Sequence, residues 1–218
     1  MRKVKSDRYS YIESLSEPED KTKEKARNHS QQIGLDAISL SVVEARLIQF
    51  QLQSVSAKKV VEIGTLTGLS ASYILEALPQ DGKLWTIEKS PQHAELAEDV
   101  LDTEIKAGRC QIVVDDAQKA LEGLSAEGPF DAVFIDGNKA AYLNYFEWAL
   151  KNTKVGGVII ADNVFLAGSV WGDMSAQKFS EKQISVLNQM NRMAFQNKSL
   201  SSVIIPTEEG MLVCKKLS

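Results

Sequence analysis

From Lys59 to Ala161 the chain alternates short apolar runs with longer segments in which apolar residues recur every three or four positions. The runs at 59–63, 83–88, 110–114, 130–135 and 156–161 have strand length. The segments at 69–78, 91–107, 117–124 and 140–151 have helical spacing, so this stretch predicts successive βαβ units and a mostly parallel sheet. Beyond it, a polar-rich helix over 176–197 leads to Ser202-Val203-Ile204-Ile205-Pro206 and Met211-Leu212-Val213-Cys214. Only Thr207-Glu208-Glu209-Gly210 separates those two runs, which predicts an antiparallel hairpin finishing a mixed sheet. The N-terminal third is charged and helical. Pro18 suits the first turn of a helix and Gly34 a C-terminal cap. Ser41-Val42-Val43-Glu44 is a capping box ahead of Leu47, Ile48 and Leu52. The apolar residues of helix 41–54 have two uses open to them, a dimer interface or packing on the sheet.

With 218 residues, 44% of them apolar, the chain can bury one good core. A single domain over 1–218 is expected, with an N-terminal helical extension at 1–56 and an α/β core at 57–218. The net charge of −4 is mild and argues against wholesale binding to nucleic acid or anionic membrane. The opening Met1-Arg2-Lys3-Val4-Lys5-Ser6-Asp7 turns polar at once, and no apolar run reaches membrane-spanning length, so a soluble, cytoplasmic protein is expected. Cys110 and Cys214 stand apart from each other and from both histidines in apolar runs, which reads as buried, inert thiols.

Candidate chemistry gathers where strands end, the place at which open α/β sheets bind ligands. Gly64 and Gly68 flank a turn after the first strand, where missing Cβ atoms let backbone approach a ligand. The spacing is Gly-x-x-x-Gly, so the dinucleotide fingerprint is absent and a nicotinamide cofactor is disfavoured. Glu88, 24 residues after Gly64, ends the second strand and can accept from a ribose diol. Glu62 sits amid Val60, Val61 and Ile63 and needs a partner, from a cationic ligand or from turn N–H groups. Asp136 follows the fourth strand with Lys139 three residues on, and Asp162-Asn163 follows the fifth. Two carboxylates and an amide oxygen make a hard, oxygen-only set suited to magnesium, manganese or calcium. A lysine beside such a dication has the depressed pKa of a general base. Taken singly, these residues have plainer readings, as turns, helix caps or solvated helix starts. Their joint placement on successive strand ends favours one site.

Three segments together resemble the metal-dependent O-methyltransferases that use S-adenosylmethionine, the group of catechol and caffeoyl-coenzyme A O-methyltransferases. They are Val60–Ser70, Asp136-Gly137-Asn138-Lys139-Ala140-Ala141-Tyr142 and Gly156–Val164, and the resemblance runs from about Ser39 to the C-terminus. It implies a Rossmann-like class I methyltransferase sheet of seven strands with an antiparallel C-terminal hairpin and helices on both faces. It further implies that Glu62, Gly64, Thr65 and Ser70 hold the amino-acid end of the cofactor, with Gly68 completing the turn. Leu40 would make a backbone contact, Glu88 would take the ribose hydroxyls, and Asp116-Ala117 would border the adenine. Asp136 would belong both to the cofactor wall and, with Asp162 and Asn163, to the metal, magnesium first and manganese or calcium as alternatives. Lys139 would be the base, with Asp136 as its catalytic neighbour. The chain departs from the family at Leu69, where many relatives have tyrosine, and at Asp115, where they have glycine. Val164-Phe165 replaces a leucine-tryptophan pair.

The implied activity is methyl transfer to a catechol-like or other vicinal-hydroxyl small molecule by a homodimer. One alternative acceptor is hydroxyuridine in tRNA, met by Lys21, Lys23, Lys25 and Arg27, although Glu19, Asp20 and Glu24 interleave with them as on a solvated helix face. The alternative of another class is a non-catalytic cofactor-binding or scaffold protein.

Overall fold

The computed structural model describes residues 7–173 and 179–218. Three helices come first: α1 (Asp7–Ser14), α2 (Lys21–Gln32) and α3 (Val42–Ser54). Then β1 (Lys59–Ile63), α4 (Leu69–Ala77), β2 (Lys83–Glu88), α5 (Pro91–Lys106), β3 (Cys110–Val114), α6 (Ala117–Leu124), β4 (Phe130–Ile135), α7 (Tyr142–Asn152) and β5 (Thr153–Ala161) alternate. Helix α8 (Glu181–Gln196) and the hairpin β6 (Leu200–Ile205) and β7 (Met211–Lys216) complete the chain. One seven-stranded sheet results, in the order β3-β2-β1-β4-β5-β7-β6. The first five strands pair in parallel, and β7 runs antiparallel to β5 and β6.

The period of two along each strand divides the apolar residues between two cores. Val61, Ile63, Trp85, Ile87, Val133 and Ile135 face α6, α7 and α8 through residues such as Leu121, Phe146 and Leu187. Val60, Leu84, Ala132 and Phe134 face the other way, onto Ile48, Leu52, Ile74 and Leu101 of α3, α4 and α5. The apolar stripe of α3 is thus spent mostly on the sheet side. The Ser41–Glu44 capping box forms as expected, and both cysteines are buried. Burial pushes the Cys110 thiol up to about 12 and the Cys214 thiol up to about 11. Among the described residues, no helix is long and apolar enough to cross a membrane.

Three boundaries differ from the sequence reading by three residues or more. Pro18 lies outside a helix, because Asp20 is the cap of α2 and its side chain accepts from the N–H of Lys23. The strand expected at 156 begins at Thr153, with Gly156 at φ +84 inside it. The helix expected from 176 begins at Glu181 behind a second capping box, Ser180 with Gln183, and the first part of the expected segment lies outside the described residues.

Candidate active site

Strand order reverses between β1 and β4, so the chain leaves their carboxyl ends in opposite directions and opens a crevice. A cavity of about 460 Å³ occupies it, a size typical of small-molecule pockets.

One wall is the turn after β1. Gly64 has φ +103, and a Cβ built on it would lie 2.2 Å from the carbonyl oxygen of Asp136, so only glycine lets the ends of β1 and β4 come this close. Leu66 takes φ +51, sparsely populated for a side chain of its size, and its N–H donates to Glu88 Oε2 at 2.9 Å. Glu88 Oε1 accepts from the N–H of Ser90 at 2.8 Å, and the ring of His93 stands 3.7 Å away. The carboxylate is therefore held rigidly while still lining the cavity. Asp116 caps α6 through the N–H of Gln118 and, with Ala117, lines the same cavity further along.

The opposite wall is built by β4 and β5. Ile135 and Ala161 are in register, and the N–H of Asp162 donates to the carbonyl of Ile135 at 3.0 Å, carrying the ladder one residue past the strands. Asp136 and Asp162 therefore stand side by side. Asp136 and Asn163, the latter at φ +59, line the cavity, and Asp162 is fully buried. Asn138 caps a short 3-10 turn, Lys139–Ala141, that places Lys139 over the crevice. Lys139 Nζ donates to Asp136 Oδ1 at 2.9 Å and to the hydroxyl of Tyr142. Burial holds the Tyr142 phenol well above its ordinary range, and the charges of Asp136 and Asp162 add to the effect.

Of the residues singled out in the sequence, Leu40, Gly64, Thr65, Ser70, Glu88, Asp116, Ala117, Asp136, Lys139 and Asn163 line this one cavity. Glu62, Gly68 and Asp162 do not. Gly68 is the left-handed N-cap of α4, its N–H donating to the carbonyl of Thr65 at 2.9 Å. Glu62 lies behind the wall and finds a partner that the sequence reading did not name, the hydroxyl of Thr86 at 2.6 Å, which is bonded in turn to that of Thr65. Burial pushes its carboxyl up to about 8; the hydroxyls of Ser70 and Thr86 act against the rise, and the charges of Asp136 and Glu88 add to it. Among the described residues, no three His, Cys, Asp or Glu side chains cluster to hold a metal ion. The expected set has only two carboxylates and relies on Asn163 for the third donor.

Leu35, Ile38, Tyr145, Phe179, His93 and Glu209 also line the cavity and were missed. An apolar lining residue has the same local pattern as a core residue, and Glu209 arrives from the β6–β7 turn, where its Oε2 accepts from the N–H of Ala167. The departures Leu69 and Asp115 both line the cavity. Most of the basic residues proposed to meet RNA are spent internally: Lys23 on Asp20 and Glu76, Lys25 on Asp99, and Arg27 on Glu19.

The chain matches the O-methyltransferase family model over residues 13–217. It is 34% identical over 197 residues to a catechol O-methyltransferase of Niastella koreensis, covering 89% of this chain and 87% of that protein. Among solved structures, the O-methyltransferase TomG from Streptomyces achromogenes, in complex with SAM, superposes with a TM-score of 0.89 at 28% identity, covering 98% and 97% of the two chains. An O-methyltransferase from Bacillus cereus in complex with SAH gives 0.86 at 26% identity, covering 97% of each. A crevice at the sheet's switch point, a glycine turn facing an acid–lysine pair, and a match spanning nearly the whole chain agree: this protein belongs to the O-methyltransferase family, as an S-adenosylmethionine-dependent transferase on the Rossmann-like methyltransferase fold.

Proposed function

We propose that this enzyme methylates one hydroxyl of a catechol-like or other vicinal-hydroxyl small molecule, using a divalent cation at the ends of β4 and β5 and Lys139 as the base. The observation that carries the reading is the continuity of one cavity from Gly64, Thr65, Ser70 and Glu88 to Asp136, Lys139 and Asn163. The name of the Niastella relative supports the acceptor class.

In this reading Gly64, Thr65, Ser70 and the backbone at Leu40 hold the amino-acid end of S-adenosylmethionine, Glu88 takes the ribose hydroxyls, and Asp116 and Ala117 border the adenine. Glu62 acts from behind, through the hydroxyls of Ser70 and Thr86. Gly68 fixes the turn. Asp136, Asp162 and Asn163 fit a magnesium-class ion, being hard oxygen donors on adjacent strand ends in register. Such an ion, when bound, stabilises negative charge on the acceptor oxygen. Lys139 takes the acceptor's proton: the O–H bond breaks and an N–H bond forms on Nζ. The oxygen then bonds to the methyl carbon as the C–S bond breaks, its electron pair neutralising the sulfonium. The cavity walls hold oxygen and methyl in line. The helices of 1–56 and the core of 57–218 act as one domain in this proposal, supported by the hydrogen bond that Thr67 donates to the carbonyl of Ala26 and the one it shares with the hydroxyl of Ser30, both of α2.

The test is an acceptor screen with labelled S-adenosylmethionine, with and without magnesium, that includes catechols and undermodified tRNA. Magnesium-dependent labelling of a catechol is expected. Labelling of the tRNA alone would overturn the acceptor class, and undiminished labelling in chelator would overturn the metal.

A further inference from the structure

Lys139 Nζ has two side-chain hydrogen-bond partners, Asp136 and Tyr142, and one of them has a second task. Asp136, which accepts from Lys139 Nζ at 2.9 Å, is also the carboxylate proposed for the cation. A carboxylate that turns toward a dication holds an ammonium less well. The other partner, Tyr142, faces the carboxylates of Asp136 and Asp162 but is not itself among the residues proposed to hold the cation. The Tyr142 side chain is fully buried and lies outside the cavity lining, so it touches neither acceptor nor cofactor. Its oxygen accepts from Lys139 Nζ, and its own O–H is directed to the carbonyls of Asp162 at 3.1 Å and Ile135 at 3.3 Å. Those carbonyls sit at the ends of β5 and β4, so the phenol ties the lysine to both strands. The Lys139 nitrogen also lies 4.5 Å from the centre of the Tyr142 ring.

We infer that Tyr142 is the positioning residue that keeps Lys139 Nζ aimed at the acceptor when Asp136 is drawn to the cation, an inference that rests on the reading of Lys139 as the base. The geometry supports it. With Asp136 turned to the cation, the Tyr142 oxygen is the remaining hydrogen-bond partner of Lys139 Nζ among the described residues, and it anchors the nitrogen to the ends of β5 and β4.

The test is a double-mutant cycle on the full-length, magnesium-loaded enzyme. Tyr142→Phe keeps the ring and its contact with the lysine and deletes only the hydroxyl. A fall in kcat of about 10- to 100-fold is expected, the scale of a misplacement near 1 Å, with acceptor KM and calorimetric affinity for S-adenosylhomocysteine within about twofold of wild type. Lys139→Met alone should lower kcat by roughly 10²–10⁴. In the Lys139→Met background, Tyr142→Phe should cost nothing further. A second readout needs no turnover: in magnesium-loaded protein without S-adenosylmethionine or acceptor, acetylation of Lys139 by acetic anhydride, followed by peptide mass spectrometry, should be several-fold faster in Tyr142→Phe. An unchanged kcat, an equal loss in both backgrounds, or an unchanged labelling rate overturns the inference. Lys139→Met slow with Tyr142→Phe fast removes Tyr142 alone, whereas Lys139→Met at full rate removes the base and this inference together. If the phenylalanine variant folds poorly, 4-aminophenylalanine at position 142 keeps the ring and an N–H donor for the carbonyls of Asp162 and Ile135 and offers Lys139 a poorer acceptor lone pair. It should show the same pattern, and a wild-type kcat there also overturns the inference.

Discussion

Gly64→Ala is the substitution whose cost can be worked most directly from the structure. The added Cβ would lie 2.2 Å from the carbonyl oxygen of Asp136 and 2.9 Å from its carbonyl carbon, where ordinary contact begins near 3.4 Å. The ends of β1 and β4 would have to part by about 1.2 Å, the difference between 3.4 and 2.2, and both atoms met are backbone, which cannot swing aside. Overpacking of this kind costs about 1–3 kcal/mol, and alanine at φ +103 adds about 1–3 kcal/mol. The sum of about 2–6 kcal/mol lowers Tm by roughly 5–20 °C for a chain of this size. Gly108→Ala is the control: φ is +72, but nothing lies within 4 Å of the added atom, so only the conformational cost of about 1–2 kcal/mol applies. Because the Gly64 collision spreads the two walls of the cavity, the affinity for S-adenosylmethionine should fall at least about tenfold in Gly64→Ala and not in Gly108→Ala. Calorimetry for binding and thermal denaturation for stability read the two effects. Equal Tm losses with equal, unchanged affinities would refute the reasoning, because they would mean that the strand ends yield freely.

Glu88→Ala should weaken S-adenosylmethionine binding by about 1.5–3 kcal/mol, the range for hydrogen bonds to a charged group; unchanged calorimetric affinity in a folded variant would dismiss the ribose assignment. Chelator or Asp162→Ala should abolish methyl transfer while cofactor binding persists, since Asp162 lies at the end of β5 and the glycine turn at the end of β1; full turnover in metal-free buffer would count against the cation. Glu62 gives a pH signature. Its carboxyl is raised by burial from 4.5 to about 8, so the ligand-free folded state binds its proton more tightly than the unfolded state does. Its contribution is therefore complete below pH 4.5 and declines as pH rises through about 8, by an amount on the order of a few kcal/mol. Glu62→Gln should flatten that decline in denaturation curves measured between pH 5 and 8, and an unaltered slope would contradict the assignment.

The alternation of the core was legible because each βαβ unit repeats a strong local signal, and so were the residues at the strand ends, which topology alone brings together. Glu62 was only half legible. A carboxylate in an apolar strand announced a partner, but the partner, Thr86, is its cross-strand neighbour in the register of β1 and β2, a pairing invisible to local pattern. The same reason hides the ion pairs of the N-terminal helices. Lys23 and Lys25 looked like a solvated face because Glu76 and Asp99 lie far along the chain. Pro18 misled because proline favours a first turn in general, whereas Asp20, three residues before Lys23, carried the stronger capping signal. The acceptor end was least legible. Phe179, Tyr145 and Ile38 face a cavity with side chains that a core would use equally well.

Helix α2 shows why a segment without recognisable chemistry still belongs to the site. The Thr67 hydroxyl donates to the carbonyl of Ala26 at 2.9 Å and lies 2.6 Å from Ser30 Oγ, so α2 grips the glycine turn from behind. Immediately before it, Leu66 holds a left-handed φ of +51, a conformation costing about 1–2 kcal/mol that persists only where its surroundings impose it. Those surroundings are α2 on one side, through Thr67, and Glu88 on the other, through the N–H of Leu66. Arg27 of the same helix donates to the carbonyl of Leu40 at 3.2 Å, and Leu40 lines the cavity. One helix therefore sets both the turn proposed to meet the cofactor's amino-acid end and the segment at Leu40 that lines the same cavity. Its ion pairs to Asp99 and Glu76 join it to the helices that follow β2 and β1. Individually such partly exposed pairs contribute little, but together they fix the angle at which α2 meets Thr67. The charges of the N-terminal third thus act on the cavity wall through geometry.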